Sequence, residues 1–210
     1  HDGQSIISNG EFSGKTLAQY IKIVGKQVIG TKAPKDKDFP ILIKFIDAKQ
    51  SLSVQVHPDD KYALLHEGES GKTEMWYVMD ATPDATLIYG FTHEISHQEF
   101  ERRIKDNTLL EVCNQVPIKK GDVFFIEAGT LHAIGAGALI AEIQQSSNST
   151  YRVYDYGRVG KDGKLRELHI EKALAVTKLE PPTRKPEPIA KLTAFADYDL
   201  TILAQCELFN

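Results

Sequence analysis

Gly121–His132 reads GDVFFIEAGTLH. The apolar run VFFI, bounded by turn residues, predicts a strand entered through Gly121. Gly129 marks a tight turn that re-aims the chain. His132 then projects from the start of the next strand into whatever the strands enclose. A hairpin whose histidine is hydrogen-bonded in the core explains the stretch equally well, and the segment alone leaves both readings open. Outward from it, Ile41–Ile46 (ILIKFI), Leu52–Val56 (LSVQV), Met75–Met79 (MWYVM), Ala85–Phe91 (ATLIYGF) and Ala138–Ile143 (ALIAEI) read as further short strands. Gly, Pro and Asp punctuate them, which predicts a β-sandwich or barrel.

A few helices interrupt the pattern. Lys15–Val24 places Leu17, Ile21 and Val24 on one face. Ser96 and Glu99 have capping-box spacing, with Phe100 and Ile104 following at helical intervals. Ile170–Val176 is a further helical stretch. TKAPKDKDF (31–39) is polar and turn-rich, an expected exposed loop. EPPTRKPEP (180–188) carries too many prolines for a regular element and reads as a linker.

Composition bounds the function. The chain has 210 residues, 41% hydrophobic and 26% charged, as in a water-exposed globular protein. A formal net charge of -4 leaves no basic field for a nucleic-acid backbone. No apolar run is long enough to span a bilayer, and HDGQSIISNG lacks the layout of a secretory signal. Cys113 and Cys206 lie far apart, without zinc-knuckle spacing, and are expected as free thiols in a reducing cytoplasm.

Two more stretches bear chemistry. In SLSVQVHPDD (51–60), Ser53, Gln55 and His57 share one strand face while Val54 and Val56 take the other. Such a strand lines something polar, or is an edge wetted by solvent. In GKTEMW (71–76), Glu74 stands at the entry to an apolar run, with Lys72 on the same side of an extended chain. A surface Lys–Glu pair is the ordinary alternative. Taken together, Gln55, His57, Glu74 and His132 offer an amide oxygen, two imidazole nitrogens and a carboxylate. That set suits zinc and leaves room for water or substrate. Buried without a cation, it would be costly.

GDVFFIEAGTLH follows the spacing G-x5-E-x-G-x2-H, which resembles the second motif of the cupin superfamily, with Glu127 where proline is usual. SVQVHPDD, GKTEMWYV, GTLHAI and TYRVYDY, in that order and preceded by FPILIKFIDA, resemble type I phosphomannose isomerase in its shorter bacterial form. The resemblance runs from about Asn9 to Val176. It implies a mainly β, cupin-type jelly-roll barrel with one zinc per chain, held by Gln55, His57, Glu74 and His132. It also implies an essential Arg152, and places Lys72 near the sugar phosphate.

The implied reaction interconverts mannose 6-phosphate and fructose 6-phosphate through an enediol. Arg152 would stabilise the enediolate and Lys72 would bind the phosphate as a point charge. The general base is not named by any motif. Another metal-dependent cupin enzyme, or a non-catalytic sugar-phosphate-binding cupin, are the rival readings. The family's upstream Trp-Gly-Gly block is missing, so the chain is expected to be a fragment. Its layout is expected as a metal-site domain over 1–179, a linker over 180–190 and the start of a second β unit over 191–210.

Overall fold

The computed structural model describes residues 4–30, 39–160 and 162–208. The expected loop at 31–39 lies outside these, apart from Phe39. The chain divides into two compact units, His1–Leu42 and Ile43–Asn210.

In the first unit, Ile7 N–H donates to the Lys15 carbonyl at 2.9 Å, closing a loop just before helix α1 (Leu17–Val24). Thr16 caps α1 reciprocally. Its hydroxyl accepts from Gln19 N–H at 3.1 Å, and the Gln19 side chain accepts from Thr16 N–H at 2.8 Å. Two of the helix's orphan donors are thereby satisfied, which is why it starts two residues later than its apolar spacing suggested.

Strand β1 (Ile41–Asp47) runs across the boundary into the second unit, which contains β2 (Val54–Val56), α2 (Asp60–His66), β3 (Glu74–Ala81), β4 (Thr86–Phe91), α3 (His97–Lys105), β5 (Cys113–Pro117), β6 (Val123–Ile126), β7 (His132–Ile134), β8 (Ala138–Gln145), β9 (Tyr151–Tyr154) and α4 (Ile170–Val176). Two sheets result, ordered β1-β8-β3-β6 and β5-β4-β7-β2-β9. They face one another as a cupin-type sandwich and do not join into one closed hydrogen-bonded cylinder.

Period-two alternation assigns the faces. In β4, Leu87 and Tyr89 join Trp76, Val78, Phe124, Ile134 and Ile140 in the core shared by the two sheets. Ile88, between them, turns outward with Val54, Val56, Tyr151 and Val153 against α3 and α4. The outer face of the four-stranded sheet is covered by a third cluster. There Met75, Val123 and Phe125 meet Leu203, Ala204 and Cys206. Each fully buried side chain of this size contributes about 1.5–3 kcal/mol relative to exposure. β10 (Thr193–Ala194) and β11 (Asp199–Leu200) form a separate antiparallel pair.

The turn at Gly129 fits its sequence reading. Its φ is +88°, a conformation that favours glycine. Its N–H donates to the His57 carbonyl at 2.8 Å, and an added Cβ would lie 2.9 Å from the Val176 carbonyl. This turn ties the end of β2 to the start of β7, and so His57 to His132.

Candidate metal centre

Backbone register brings the site together. Across β4, β7, β2 and β9, Tyr89 pairs with His132, His132 with Gln55, and Gln55 with Arg152. Directly opposed residues share a face, so this row lines the space between the sheets. Opposite it, β3 pairs Glu74 with Gln144 and Trp76 with Glu142.

His57, Glu74 and His132 are each at most 1% exposed, and their ligand-type atoms lie within 4.8 Å of one another. His57 Nε2 is 3.3 Å from Glu74 Oε1, and His132 Nε2 is 3.9 Å from Glu74 Oε2. Neighbouring donors around a tetrahedral zinc stand about 3.4 Å apart. His57 Nδ1 donates to the Ser149 carbonyl and His132 Nδ1 to the Thr130 carbonyl, both at 2.8 Å. A carbonyl only accepts, so each Nδ1 carries the proton and each Nε2 presents a lone pair. His132 Nε2 is buried without a hydrogen-bond partner, an arrangement that is costly unless a cation takes the lone pair.

Electrostatics favours the ligand forms. Burial pushes the His57 imidazole down to about 3, with Lys72 adding to the effect. Burial also lowers His132, against the pull of Glu74. For Glu74, burial acts to raise the pKa, but Lys72 and the two histidines outweigh it and hold the carboxyl well below the usual range. Two neutral imidazoles and one carboxylate are the protonation states a zinc site requires.

Lys72 is no surface residue. Its ammonium lies 2.9 Å from Glu74 Oε1 and 3.1 Å from His57 Nε2, and it is 5% exposed. Gln55 is half-buried, and its side-chain oxygen accepts from Ser53 Oγ at 3.3 Å. Arg152 is also half-buried. It donates from Nη1 to the Glu167 carbonyl at 3.0 Å, while its Nε is buried without a partner. Asp155, three residues further along, pairs with Arg158 and, at 3.4 Å, with Arg166. Among the described residues, Arg152 has no carboxylate in ion-pair contact.

Further polar groups that no sequence motif assigned to the site adjoin His57, Glu74 and His132. Trp76 Nε1–H is shared between Glu74 Oε2 at 2.9 Å and Glu142 Oε2 at 3.1 Å. Lys44 reaches Glu142 Oε1 at 2.8 Å and also bonds to Gln144. Burial, and then the nearby Glu74 charge, raise the Glu142 carboxyl. A carboxyl raised in this way holds and releases a proton closer to neutrality than a solvated one. The sequence carried a signal for this pair: Glu142 and Gln144 continue the alternation begun by Ala138 and Ile140, both buried on the same face.

Comparison with known proteins follows the same residues. The family described as "Phosphomannose isomerase type I, catalytic domain" matches residues 1–83, a span that includes Gln55, His57, Lys72 and Glu74. Over that span the chain is similar to the type I phosphomannose isomerases. The mannose-6-phosphate isomerase ManA of Bacillus subtilis is 40% identical over 213 residues, covering 100% of this chain and 65% of that protein. The probable mannose-6-phosphate isomerase GmuF of the same organism is 49% identical over 175 residues, covering 83% of this chain and 54% of its own length. The crystal structure of a Bacillus subtilis mannose 6-phosphate isomerase superposes with a TM-score of 0.88 at 37% identity, over 98% of this chain and 64% of that one. This chain therefore spans between about half and two thirds of these relatives. Among the described residues, no helix is long and apolar enough to cross a membrane.

Proposed function

We propose that this chain supplies the metal site of a zinc-dependent isomerase that interconverts mannose 6-phosphate and fructose 6-phosphate. The observation that carries the reading is the trio His57, Glu74 and His132, buried together with both Nε2 lone pairs turned toward one carboxylate. Gln55, in register with His132, is the candidate fourth ligand.

A zinc ion held there would act as a Lewis acid on the sugar's carbonyl and adjacent hydroxyl oxygens. The remaining work falls to the chain. Among the described residues no carboxylate is in ion-pair contact with Arg152, so its guanidinium is available to an enediolate whose charge develops in the transition state. Lys72 places a cation beside the ligand atoms, where an anionic sugar phosphate would enter its field. Glu142 is positioned to hold a proton next to the cluster through Trp76. The surroundings expected for such an enzyme are cytoplasmic, with a small-molecule partner only.

The test has two parts. Elemental analysis of the purified chain should give zinc near one per chain. A coupled assay for fructose 6-phosphate formation from mannose 6-phosphate should show turnover that a chelator abolishes. Absence of zinc together with turnover that survives chelation would overturn the reading.

A further inference from the structure

We propose that Glu69, on the loop between α2 and β3, is a positioning residue for the metal ligand His57. The inference rests on the metal-site reading above and extends it to a side chain that touches none of the three ligands.

The chain of contacts is short. Glu69 Oε1 accepts from the Ser149 hydroxyl at 2.6 Å, and Glu69 Oε2 accepts from the Asn148 N–H at 3.1 Å. One carboxylate thus grips two consecutive residues of the loop between β8 and β9. The carbonyl of the second, Ser149, accepts the Nδ1 proton of His57 at 2.8 Å. That bond fixes which ring nitrogen is protonated and which way the ring faces, leaving Nε2 to bind metal.

The loop lacks regular sheet hydrogen bonding at this point. Within the loop, Ser149 N–H donates to Ser147 Oγ at 3.2 Å, and the Gln144 amide donates to the Ser147 carbonyl at 3.0 Å. Glu69 grips both Asn148 and Ser149 from outside the loop. Both of its bonds are charge-assisted, which makes them stronger than neutral ones. It also acts at a distance set by sequence. Lys72 and Glu74 follow on the same loop and strand, so the segment that supplies the carboxylate ligand also clamps the residue orienting the histidine ligand. The two ligands therefore hold register with each other before any ion arrives, which reduces the ordering left to binding.

The experiment is zinc titration against a chromophoric chelator, run on the purified chain and on Glu69→Ala and Glu69→Gln. Thermal unfolding of the chelator-treated proteins is measured in parallel. Glu69→Ala should weaken zinc binding about 10-fold, the lower end of the range for groups that orient a ligand. Glu69→Gln keeps one acceptor oxygen and should recover part of that loss. Nitrogen-15 imidazole spectra should show His57 as the single Nδ1–H tautomer in the unaltered chain and as a mixture in Glu69→Ala. Unchanged affinity and an unchanged His57 spectrum in both variants would overturn the inference. So would a loss of affinity that only tracks a loss of thermal stability. If the unaltered chain itself takes up no zinc, the metal-site reading fails instead, and the two failures are distinguishable.

Discussion

At the scale of single residues, the two buried histidines of the candidate site are poised by opposite demands. Burial makes the charged imidazole unfavourable, while Glu74 attracts it, and burial prevails at both His57 and His132. The first consequence is for metal. His132→Ala removes a donor whose Nε2 has no other partner, so the variant should lose most of its zinc, and full occupancy by elemental analysis would sink the assignment. The second is for pH. An unfolded imidazole titrates near 6.5, whereas folded His57 is held at about 3. Between these values the unfolded chain binds protons that the folded one refuses, so stability falls as pH drops through this window. Glu74, held low, adds a loss of the same sign once pH falls below its ordinary range. Chelator-treated protein should therefore unfold at progressively lower temperature from about pH 6.5 downward. His57→Gln should flatten that slope. Arg152 makes a separate prediction. Arg152→Ala should lower kcat on the order of 10²–10³-fold with zinc content nearly intact, and Arg152→Lys should restore little, since an ammonium lacks the planar fork. Loss of zinc or of folding in Arg152→Ala would make it a structural residue.

Among elements, what the sequence disclosed follows from how each element buries itself. β6 and α4 match their expected bounds because apolar runs bounded by turn residues leave little freedom. α2 was missed, and its burial explains why: Ala63 alone is buried, while Leu64 and Leu65 are 55% and 78% exposed, so no apolar stripe announces it. It is set instead by Asp59, which caps it through Tyr62 N–H at 2.8 Å. β5 is masked by the proline at its end and the lysines after it. At α3 only half of the capping box forms. Ser96 accepts from Glu99 N–H at 3.1 Å, but the Glu99 carboxylate turns to Arg103 at 2.8 Å. The three buried residues of the candidate site, His57, Glu74 and His132, were legible because their polarity contradicts their neighbours. The groups behind them, such as Ser149 acting through a backbone carbonyl, carry no residue-type signal at all. An element-scale prediction concerns Gly71, where the loop after α2 passes against the start of that helix. A Cβ there would lie 2.5 Å from both Asp59 C and Asp60 N. Backbone cannot yield as a side-chain tip does, so Gly71→Ala should displace the segment carrying Lys72 and Glu74. It should cost about 1–3 kcal/mol and weaken zinc binding together, read by thermal unfolding and titration. Unaltered values for both would show that the loop has slack.

Across the whole molecule, the four-stranded sheet separates two kinds of interior. Its inner face carries Glu74, Trp76, Glu142 and Gln144, the polar wall of the candidate site. Its outer face carries Met75, Val123 and Phe125, sealed by Leu203, Ala204 and Cys206 from the C-terminal segment. The Arg184 guanidinium lies 4.1 Å from the Phe125 ring centre at the margin of that seal. Adjacent residues on β3 thus face the candidate metal site and the apolar seal alternately, Glu74 one way and Met75 the other. Substitutions without shared partners add independently, so the two faces should respond separately. Leu203 is half-buried, and Leu203→Ala should cost about 1 kcal/mol through lost apolar burial. For a chain of this size that lowers the unfolding temperature by about 2–4 °C. Zinc affinity should stay unchanged, because among the described residues the outer cluster includes none of His57, Glu74 and His132. A fall in zinc affinity in Leu203→Ala, in step with the fall in stability, would instead show that β3 transmits strain from its sealed face to its ligand. In that case the outer seal would be part of what shapes the metal site.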